Sequence, residues 1–321
     1  MNDFDAIDLL KKKVGVPFHY RFENERCVEL DLTSQDYIFH GLIRHHTQIE
    51  KAEILCVIAG LTYLQRLNLR KNMLLSIPDY FGNLTQLRYL DLSSNLLGKV
   101  PLWINEIEDL ESLNLSANEI YELPSFLSKF QNLKALRLHK NNSRVYPDEY
   151  CAFAKLEMLN FYQNRCKRIP SVIFGYSKLK VLTWGVSPIA ELSTEIERLQ
   201  ELECLYLQCN NLNVLPEAVC ELKHLKDIIL IQNKLKELPK NIGNLENLEN
   251  VTLYQNELGS LPASFENLKN LKRLNLAWNQ FEELPSVIMG LPKLEWFGFF
   301  HNPIRGDVPK LNHIKEVILE K

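Results

Sequence analysis

The chain has 321 residues, of which 46% are hydrophobic and 24% are charged, so it is long enough to bury a sizeable core. Its net charge of −3 and its pI near 6.3 argue against a nucleic-acid-binding protein, which usually carries a basic surplus. No apolar run approaches the roughly 20 residues that span a bilayer, so we expect no membrane insertion.

The N-terminal segment predicts a helix followed by a β-hairpin. Apolar residues recur there at helical spacing, as Phe4, Ile7, Leu10 and Val14. Asn2 or Asp3 is a suitable N-cap, and Gly15 a suitable end. The stretches VPFHYRF and RCVELDL flank a polar ENE, a pattern typical of a hairpin. We interpret residues 1–63, with a degenerate first repeat that begins at Cys27, as an N-terminal cap.

The start of the chain and its cysteines favour a reduced, cytoplasmic location. In MNDFDAIDLLKKKVG the acids precede the apolar residues and the lysines follow them, which is the reverse of a signal peptide. The seven cysteines are scattered and form no C-x-x-C pair, as expected in a reducing compartment. Secretion by a non-standard route remains an alternative.

A 23-residue repeat fills most of the chain. The pattern L-x-x-L-x-L-x-x-N starts at residue 64 and then every 23 residues up to residue 294. Between the copy at residue 27 and the one at residue 64 the gap is 37, so 14 residues are extra (37 − 23 = 14), and we predict that they form a longer outer helix. We predict an eleven-strand array over residues 64–302 and a short C-terminal cap over residues 303–321.

The recurring residues of the repeat predict one strand and one short helix in each copy. The two leucines of L-x-L point to one side of an extended strand, and stacked copies can pair these strands into a parallel sheet with a shared core. The recurring asparagine can bond backbone groups in its own coil and in the next. The Leu-Pro step favours the start of a helical turn.

This repeat pattern resembles the leucine-rich repeat. It is most similar to the 23-residue Leu-Pro class, which is found in plant intracellular Ras-group-related proteins, Scribble-type scaffolds and small bacterial repeat-only proteins. The resemblance covers roughly residues 27–321. It implies an α/β solenoid shaped like a horseshoe, with a parallel sheet on the concave side and short helices on the convex side.

One repeat departs from the pattern. In the copy that starts at Leu179, Ser187 replaces the asparagine and Ser193 replaces the proline, while the variable positions shrink to Thr183, Gly185 and Val186. Neutral drift explains this, and the alternatives are a local bend or a gap that admits a partner.

The sequence contains no pattern typical of an active site. It has no G-x-G-x-x-G, Walker loop, H-E-x-x-H or G-x-S-x-G motif. Neighbours on a helix, such as His45 and His46, point about 100° apart, which does not suit a shared metal ion. We therefore expect neither catalysis, nor a cofactor, nor a metal site.

The variable positions of the repeat carry the functional signal. Numbered from the first leucine, positions 3, 5, 7 and 8 face away from the core. They are polar in the first half and turn apolar and aromatic in the second, at Met158, Tyr162, Tyr206, Ile229, Ile231, Tyr254, Trp278, Trp296 and Phe300. Exposed apolar runs with Tyr and Trp are typical of interaction surfaces. A structural tyrosine ladder and a site for a small hydrophobic ligand remain alternatives.

These columns predict a non-catalytic protein–protein interaction module or scaffold that binds a protein or peptide on its concave face. Arg137, His139 and Lys140 lie beside the aromatic residues and could steer an acidic partner, although a solvated polar face explains them equally well. The alternative function is a regulatory subunit or secreted effector that binds and modulates a signalling enzyme. We expect a monomer, with weak homodimerisation through the aromatic residues as the alternative.

Overall fold

The computed structural model describes residues 1–33, 46–305, 311 and 314–319, and for residues 151 and 152 the backbone alone. The chain divides into two compact units, Met1–Leu156 and Glu157–Lys321. We describe each unit by itself.

The first unit begins with the predicted helix and hairpin. Helix α1 spans Asp3–Val14, with Asn2 as its N-cap and Gly15, at φ 75°, as its C-cap. Strands β1 (His19–Glu23) and β2 (Arg26–Asp31) pair antiparallel. The buried carboxylate of Asp3 accepts the backbone N–H of Cys27 at 2.8 Å. Helix α1 is therefore tied to the first strand of the repeats.

A second helix follows before the regular array. Helix α2 spans Gln48–Ala59 and starts with a capping box between Thr47 and Glu50, which satisfies backbone donors at its first turn. It lies in the segment where the extra 14 residues predict a longer helix. His45 and the other residues between 33 and 46 lie outside the described residues, while His46 Nε2 lies 2.9 Å from the Lys13 carbonyl oxygen.

The repeats of the first unit contribute short parallel strands and 3₁₀ helices. After β2 the strands are β3 (Arg66–Asn68), β4 (Tyr89–Asp91), β5 (Ser112–Asn114) and β6 (Ala135–Arg137), each paired in parallel with the strand before it. The 3₁₀ helices are Asp79–Asn83, Leu102–Glu106, Ser125–Lys129 and Asp148–Ala152.

The second unit repeats the same plan. Its strands are β7 (Met158–Asn160), β8 (Val181–Thr183), β9 (Cys204–Tyr206), β10 (Asp227–Ile229), β11 (Asn250–Thr252), β12 (Arg273–Asn275), β13 (Trp296–Gly298) and β14 (Glu316–Ile318). Neighbouring strands pair in parallel, in register at the same repeat positions. The 3₁₀ helices are Ser171–Gly175, Thr194–Arg198, Glu217–Glu221, Ile242–Asn244, Ala263–Asn267 and Ser286–Gly290. This is the predicted solenoid of stacked strands.

The predicted outer helices of the repeats are 3₁₀ helices of three to five residues. The Leu-Pro proline is the residue before most of them, for example Pro78 and Pro216. A turn this short satisfies its backbone with i→i+3 bonds, because an α-helix needs more residues to offset its nucleation cost. The leucines at positions 4 and 6 are buried, as the repeat predicts.

A buried ladder of asparagines links consecutive coils. The Asn95 Oδ1 accepts the backbone N–H groups of Asn72 and Leu74, both at 3.0 Å, and its Nδ2 donates to the carbonyls of Leu69 and Leu92 at 2.9 and 2.8 Å. The amide therefore serves its own coil and the preceding one, whereas the sequence analysis placed the second set of bonds in the next coil. The orphan backbone groups of the turn are satisfied in this way.

The repeat that lacks the asparagine keeps its place in the sheet. Strand β8 pairs with both neighbours in register, and the Ser187 Oγ donates to the Asn164 carbonyl at 3.4 Å. Ser193 caps the following 3₁₀ helix by accepting the Glu195 N–H at 3.2 Å. The space above Gly185 is occupied, because a Cβ there would lie 2.9 Å from the Tyr162 ring. A gap at this position, one of the two alternatives to neutral drift, is therefore filled by Tyr162 from within the unit.

Candidate functional site on the strand face

The side chains at positions 3, 5, 7 and 8 of each repeat form a continuous surface within each unit, which we call the strand face. Position 8 has the same unusual backbone in every regular repeat, with φ between 52° and 63°, from Lys71 to His301. This left-handed conformation turns the chain out of the strand toward the asparagine. It is favoured by glycine and asparagine, yet the chain places a bulky Trp278 there.

In the second unit the strand face carries the predicted apolar residues. Met158 and Trp296 lie at position 3, Tyr206 and Ile229 at position 5, and Tyr162, Ile231, Tyr254 and Phe300 at position 7. All eight are partly buried by their neighbours. Trp278, at position 8, is 46% exposed. We name these nine residues the aromatic patch.

The end of the aromatic patch that contains Trp278 is an aromatic cluster. The ring centroid of Trp278 lies 4.4 Å from that of His301, which in turn lies 5.4 Å from that of Phe300. Ala277, which is fully buried on the same face, lies at position 7 between Tyr254 and Phe300. The cluster holds Trp278 in place while leaving half of its surface open to solvent.

Two further members of the patch pack over glycines. The Tyr162 ring lies over Gly185, and the Trp296 ring lies so close to Gly298 that a Cβ there would be 2.6 Å from it. The Arg273 guanidinium lies 5.0 Å from the Trp296 ring centroid, a cation–π distance. Packing of Tyr162 and Trp296 over glycines was not predicted, because the periodicity does not show that small residues stand beside them.

The polar groups in the middle of the patch are not activated for chemistry. The Cys204 thiol lies 3.6 Å from the Asp227 carboxylate, and burial raises its pKa. Burial, together with a hydrogen bond to Cys204, raises the pKa of Tyr206. Both groups are therefore neutral near pH 7, and a neutral thiol is a poor nucleophile. Among the residues that the structure describes, no group of three acidic, histidine or cysteine side chains could hold a metal ion.

The predicted basic residues lie on the strand face of the first unit. Arg137 donates to the Ser112 Oγ at 3.5 Å, and the His139 Nδ1 lies 2.7 Å from the Ser116 Oγ. Burial lowers the pKa of His139, and the positive charges of Lys140, Arg137 and Arg70 lower it further. The last of these cations, Arg70, stands three repeats away along the same row. The first unit therefore concentrates positive charge on this face.

Sequence reasoning missed an aromatic residue in the first unit. Tyr89 lies at position 3, and the Arg66 guanidinium stacks 3.8 Å from its ring centroid. Both residues line a groove of about 240 Å³ together with Asp91, Asn114 and Arg137. Tyr89 was visible in the sequence at position 3 of its repeat, but most residues at the equivalent positions around it are polar, so it did not stand out as part of a surface. His301, at position 8 of the second unit, was also missed, although it lies directly after Phe300.

A row of alternating charges at position 2 was also missed. From Glu111 to Glu295 this position alternates strictly between Glu and Lys. Within each unit every lysine of the row bonds the glutamate of the preceding repeat, at 2.6 to 2.9 Å, in the pairs Lys134–Glu111, Lys180–Glu157, Lys226–Glu203 and Lys272–Glu249. The signal was visible as a 46-residue period, twice the repeat length.

Comparison with known families identifies the repeat. Family models described as a leucine-rich repeat region match residues 50–183, 173–256 and 218–316, which together cover more than half of the chain. The chain belongs to the leucine-rich repeat family. Among curated protein sequences no significant match was found.

Solved leucine-rich repeat structures resemble this repeat protein along most of its length. One of Leptospira interrogans is 25% identical and covers 98% of this chain and 86% of its own, with a TM-score of 0.73. The ectodomain of the Arabidopsis thaliana receptor kinase GASSHO1/SCHENGEN3, in complex with Casparian strip integrity factor 2, is 26% identical, with a TM-score of 0.67 over 79% of this chain and 34% of that one. This leucine-rich repeat chain thus spans about a third of that ectodomain.

A Listeria monocytogenes internalin is 20% identical, with a TM-score of 0.75 over 84% of this chain and 81% of its own, and at that identity it shows the fold alone. Within the described part of this leucine-rich repeat protein, no helix is long and apolar enough to cross a membrane.

Proposed function

We propose that this leucine-rich repeat protein is a non-catalytic interaction module that binds a protein or peptide on its strand face. The observation that carries the proposal is Trp278, which is held by His301 and yet is 46% exposed. A bulky aromatic residue in a left-handed backbone gains nothing for folding from its exposed half. Such rigid, half-open aromatic residues are typical anchors of binding surfaces.

The surroundings of Trp278 support the same proposal. Tyr206, Ile229, Ile231 and Tyr254 extend the apolar surface over the preceding repeats, and each is only partly buried. Apolar surface that spans several coils of a solenoid offers a partner a broad contact area. The similar plant ectodomain, solved in complex with Casparian strip integrity factor 2, adds support by analogy.

We also place this activity in the cytoplasm. Among the described cysteines, Cys27, Cys56, Cys204, Cys209 and Cys220 are free thiols, and burial raises the pKa of Cys220 to about 12. Free thiols are typical of proteins from reducing compartments.

The test is a pull-down that compares the wild-type protein with a Tyr206→Ala/Tyr254→Ala/Trp278→Ala variant. The control is Met289→Ala, because Met289 is 55% exposed but lies on a 3₁₀ helix. We expect a partner to be retained by the wild type and the control and lost by the triple variant, at equal thermal stability. Retention of the same partner by all three proteins would exclude the aromatic patch as its binding site. A retained partner that is an enzyme whose activity changes on binding would favour the regulatory-subunit alternative.

A further inference from the structure

We infer that the strand face of the first unit carries a basic trough that binds an acidic, extended segment of a protein partner. The trough spans positions 7 and 8 of four consecutive repeats. At one end lie the cations Arg70 and Lys71, and at the other lies the cation Lys140 beside the neutral His139. The middle consists of Ser93, Ser94, Ser116 and Ala117. The inference deepens the proposed function by giving the chemistry of the segment that this part of the face recognises.

The floor of the trough is low and uncharged. Ser93 and Ser116 are buried, at 4% and 1% exposure, and Ser94 and Ala117 have side chains of similar size. The Ser116 hydroxyl is fixed against the His139 ring at 2.7 Å. At positions 7 and 8 these two consecutive repeats have only small side chains, which leave room for a backbone to approach the sheet between the flanking cations.

The cations at the two ends are free to bind an anion. The ion pairs of neighbouring repeats use positions 2 and 3, as in Arg88–Glu111 and Arg66–Glu29. Within the described residues, Arg70, Lys71 and Lys140 form no ion pair. Arg70 and Lys140 are exposed, and the positive charges of both depress the pKa of His139. Cations that form no ion pair within the protein attract a partner that supplies carboxylates.

One carboxylate, that of Asp91, acts on the trough: its negative charge raises the pKa of His139, but less than burial and the neighbouring cations lower it. Asp91 lies at position 5, one row away, and its Oδ1 accepts the backbone N–H of Ser93 at 2.8 Å. Its Oδ2 accepts from the Asn114 Nδ2 at 2.8 Å. These two bonds hold the carboxylate in its own row. An acidic ligand would therefore avoid Asp91 by lying over positions 7 and 8.

The width of the trough gives the spacing of the acidic residues. Its two ends are three strands apart, which corresponds to about 14 Å at roughly 4.8 Å per strand. In an extended chain that crosses the strands, side chains four residues apart point to the same side and lie about 14 Å from each other. The trough therefore fits acidic residues at i and i+4 with small uncharged residues between them.

The test uses fluorescein-labelled decapeptides of Glu, Ser and Thr in which two glutamates stand four residues apart, with binding followed by fluorescence polarisation. A peptide of identical composition with adjacent glutamates is the ligand control. The protein variants are Lys71→Gln/Lys140→Gln and a matched pair, Lys99→Gln/Arg144→Gln, which removes the same charge from exposed positions off the strand face.

We expect the trough variant to weaken binding of the spaced peptide about tenfold or more, and the matched pair to change it less than about twofold. The adjacent-glutamate peptide should bind more weakly to the wild type. The inference is overturned if both variants lose binding equally, if the two peptides bind alike, or if an oligonucleotide of equal charge binds more tightly than the spaced peptide.

The two proposals fail separately. Trp278→Ala should leave binding of the spaced peptide unchanged, because the aromatic patch is not part of the trough. If the trough variants bind normally while the aromatic variant loses its partner, only the inference about the acidic segment is wrong.

Discussion

At the residue scale, the asparagine at position 9 stabilises the fold through hydrogen bonds to the backbone of two coils. The side chain of Asn95 bonds five backbone groups in two coils. We expect Asn95→Leu to lower the free energy of unfolding by about 2 to 5 kcal/mol, because it leaves buried donors and acceptors without partners, at about 1 to 3 kcal/mol each. Urea denaturation measures this change.

The matched control is Asn213→Ala, since Asn213 is exposed and a surface substitution usually changes stability by less than about 0.5 kcal/mol. Equal effects of the two substitutions would show that the ladder does not hold consecutive coils together.

His139 predicts a pH dependence of stability. Burial and three neighbouring cations lower its pKa below the ordinary value of 6.5 in the folded protein. Its neutral form is therefore favoured by folding, so its contribution is complete above pH 6.5 and is lost as the pH falls below 6.5. We expect His139→Gln to flatten the fall in unfolding free energy between about pH 6.5 and pH 5. Parallel stability–pH curves for the two proteins would contradict this assignment.

At the scale of the repeat element, Gly185 shows how a neighbouring coil limits a residue. A Cβ at this position would lie 2.5 Å from the Gln208 carbonyl oxygen and 2.9 Å from the Tyr162 ring. We expect Gly185→Ala to destabilise the protein by about 1 to 3 kcal/mol through overpacking. In the double variant Gly185→Ala/Tyr162→Ala the loss of stability caused by the Gln208 carbonyl should persist, because removing the Tyr162 ring does not move that carbonyl. Thermal and urea unfolding measure both variants.

Gly259 is the matched control for Gly185, because a Cβ there would meet its nearest atom at an ordinary 3.6 Å. We expect Gly259→Ala to be nearly neutral. If Gly185→Ala were equally neutral, the contact between Tyr162 and this repeat would be looser than the structure shows.

The alternating Glu/Lys row at position 2 acts between elements. In the three pairs of the second unit both side chains are exposed, for example 50% and 36% for Lys226 and Glu203, so a single pair there contributes at most about 1 kcal/mol. Lys226→Glu would place three carboxylates side by side, at positions 203, 226 and 249. We expect a loss of roughly 1 kcal/mol at low salt that shrinks at about 1 M salt, where the Debye length is about 3 Å.

Lys234→Glu controls for net charge, since Lys234 is exposed and lies outside the row. A salt-independent loss, or an equal loss in the control, would mean that the row does not act as a set of coupled ion pairs.

The elements of this chain were predictable to different degrees. The strands and their parallel order follow from the fixed spacing of Leu67, Leu90 and their equivalents, because one buried face sets the register. The 3₁₀ form of the outer helices was missed, since the apolar spacing is compatible with both helix types. The positive φ at position 8 could not be predicted from residue type, because residues as different as Lys71, Val186 and Trp278 all adopt it.

At the scale of the whole molecule, the two units present different chemistry on their strand faces. The first concentrates positive charge around small side chains, and the second presents the aromatic patch. The residue types at positions 3, 5, 7 and 8 predicted this difference between polar and aromatic repeats. They did not predict how deeply each side chain is buried, because burial of Tyr162 and Trp296 depends on Gly185 and Gly298 beside them.

We propose that a partner covers the strand face of the second unit, a claim that hydroxyl-radical footprinting of the captured complex can check residue by residue. Trp278, at 46% exposure, reports on the strand face, and Met289, at 55%, reports on the 3₁₀-helix side of the same unit. We predict that the partner protects Trp278 from oxidation at least about fivefold, in keeping with a buried interface anchor, and leaves Met289 unchanged. Protection of Met289 with Trp278 still oxidised at the free rate would contradict the claim.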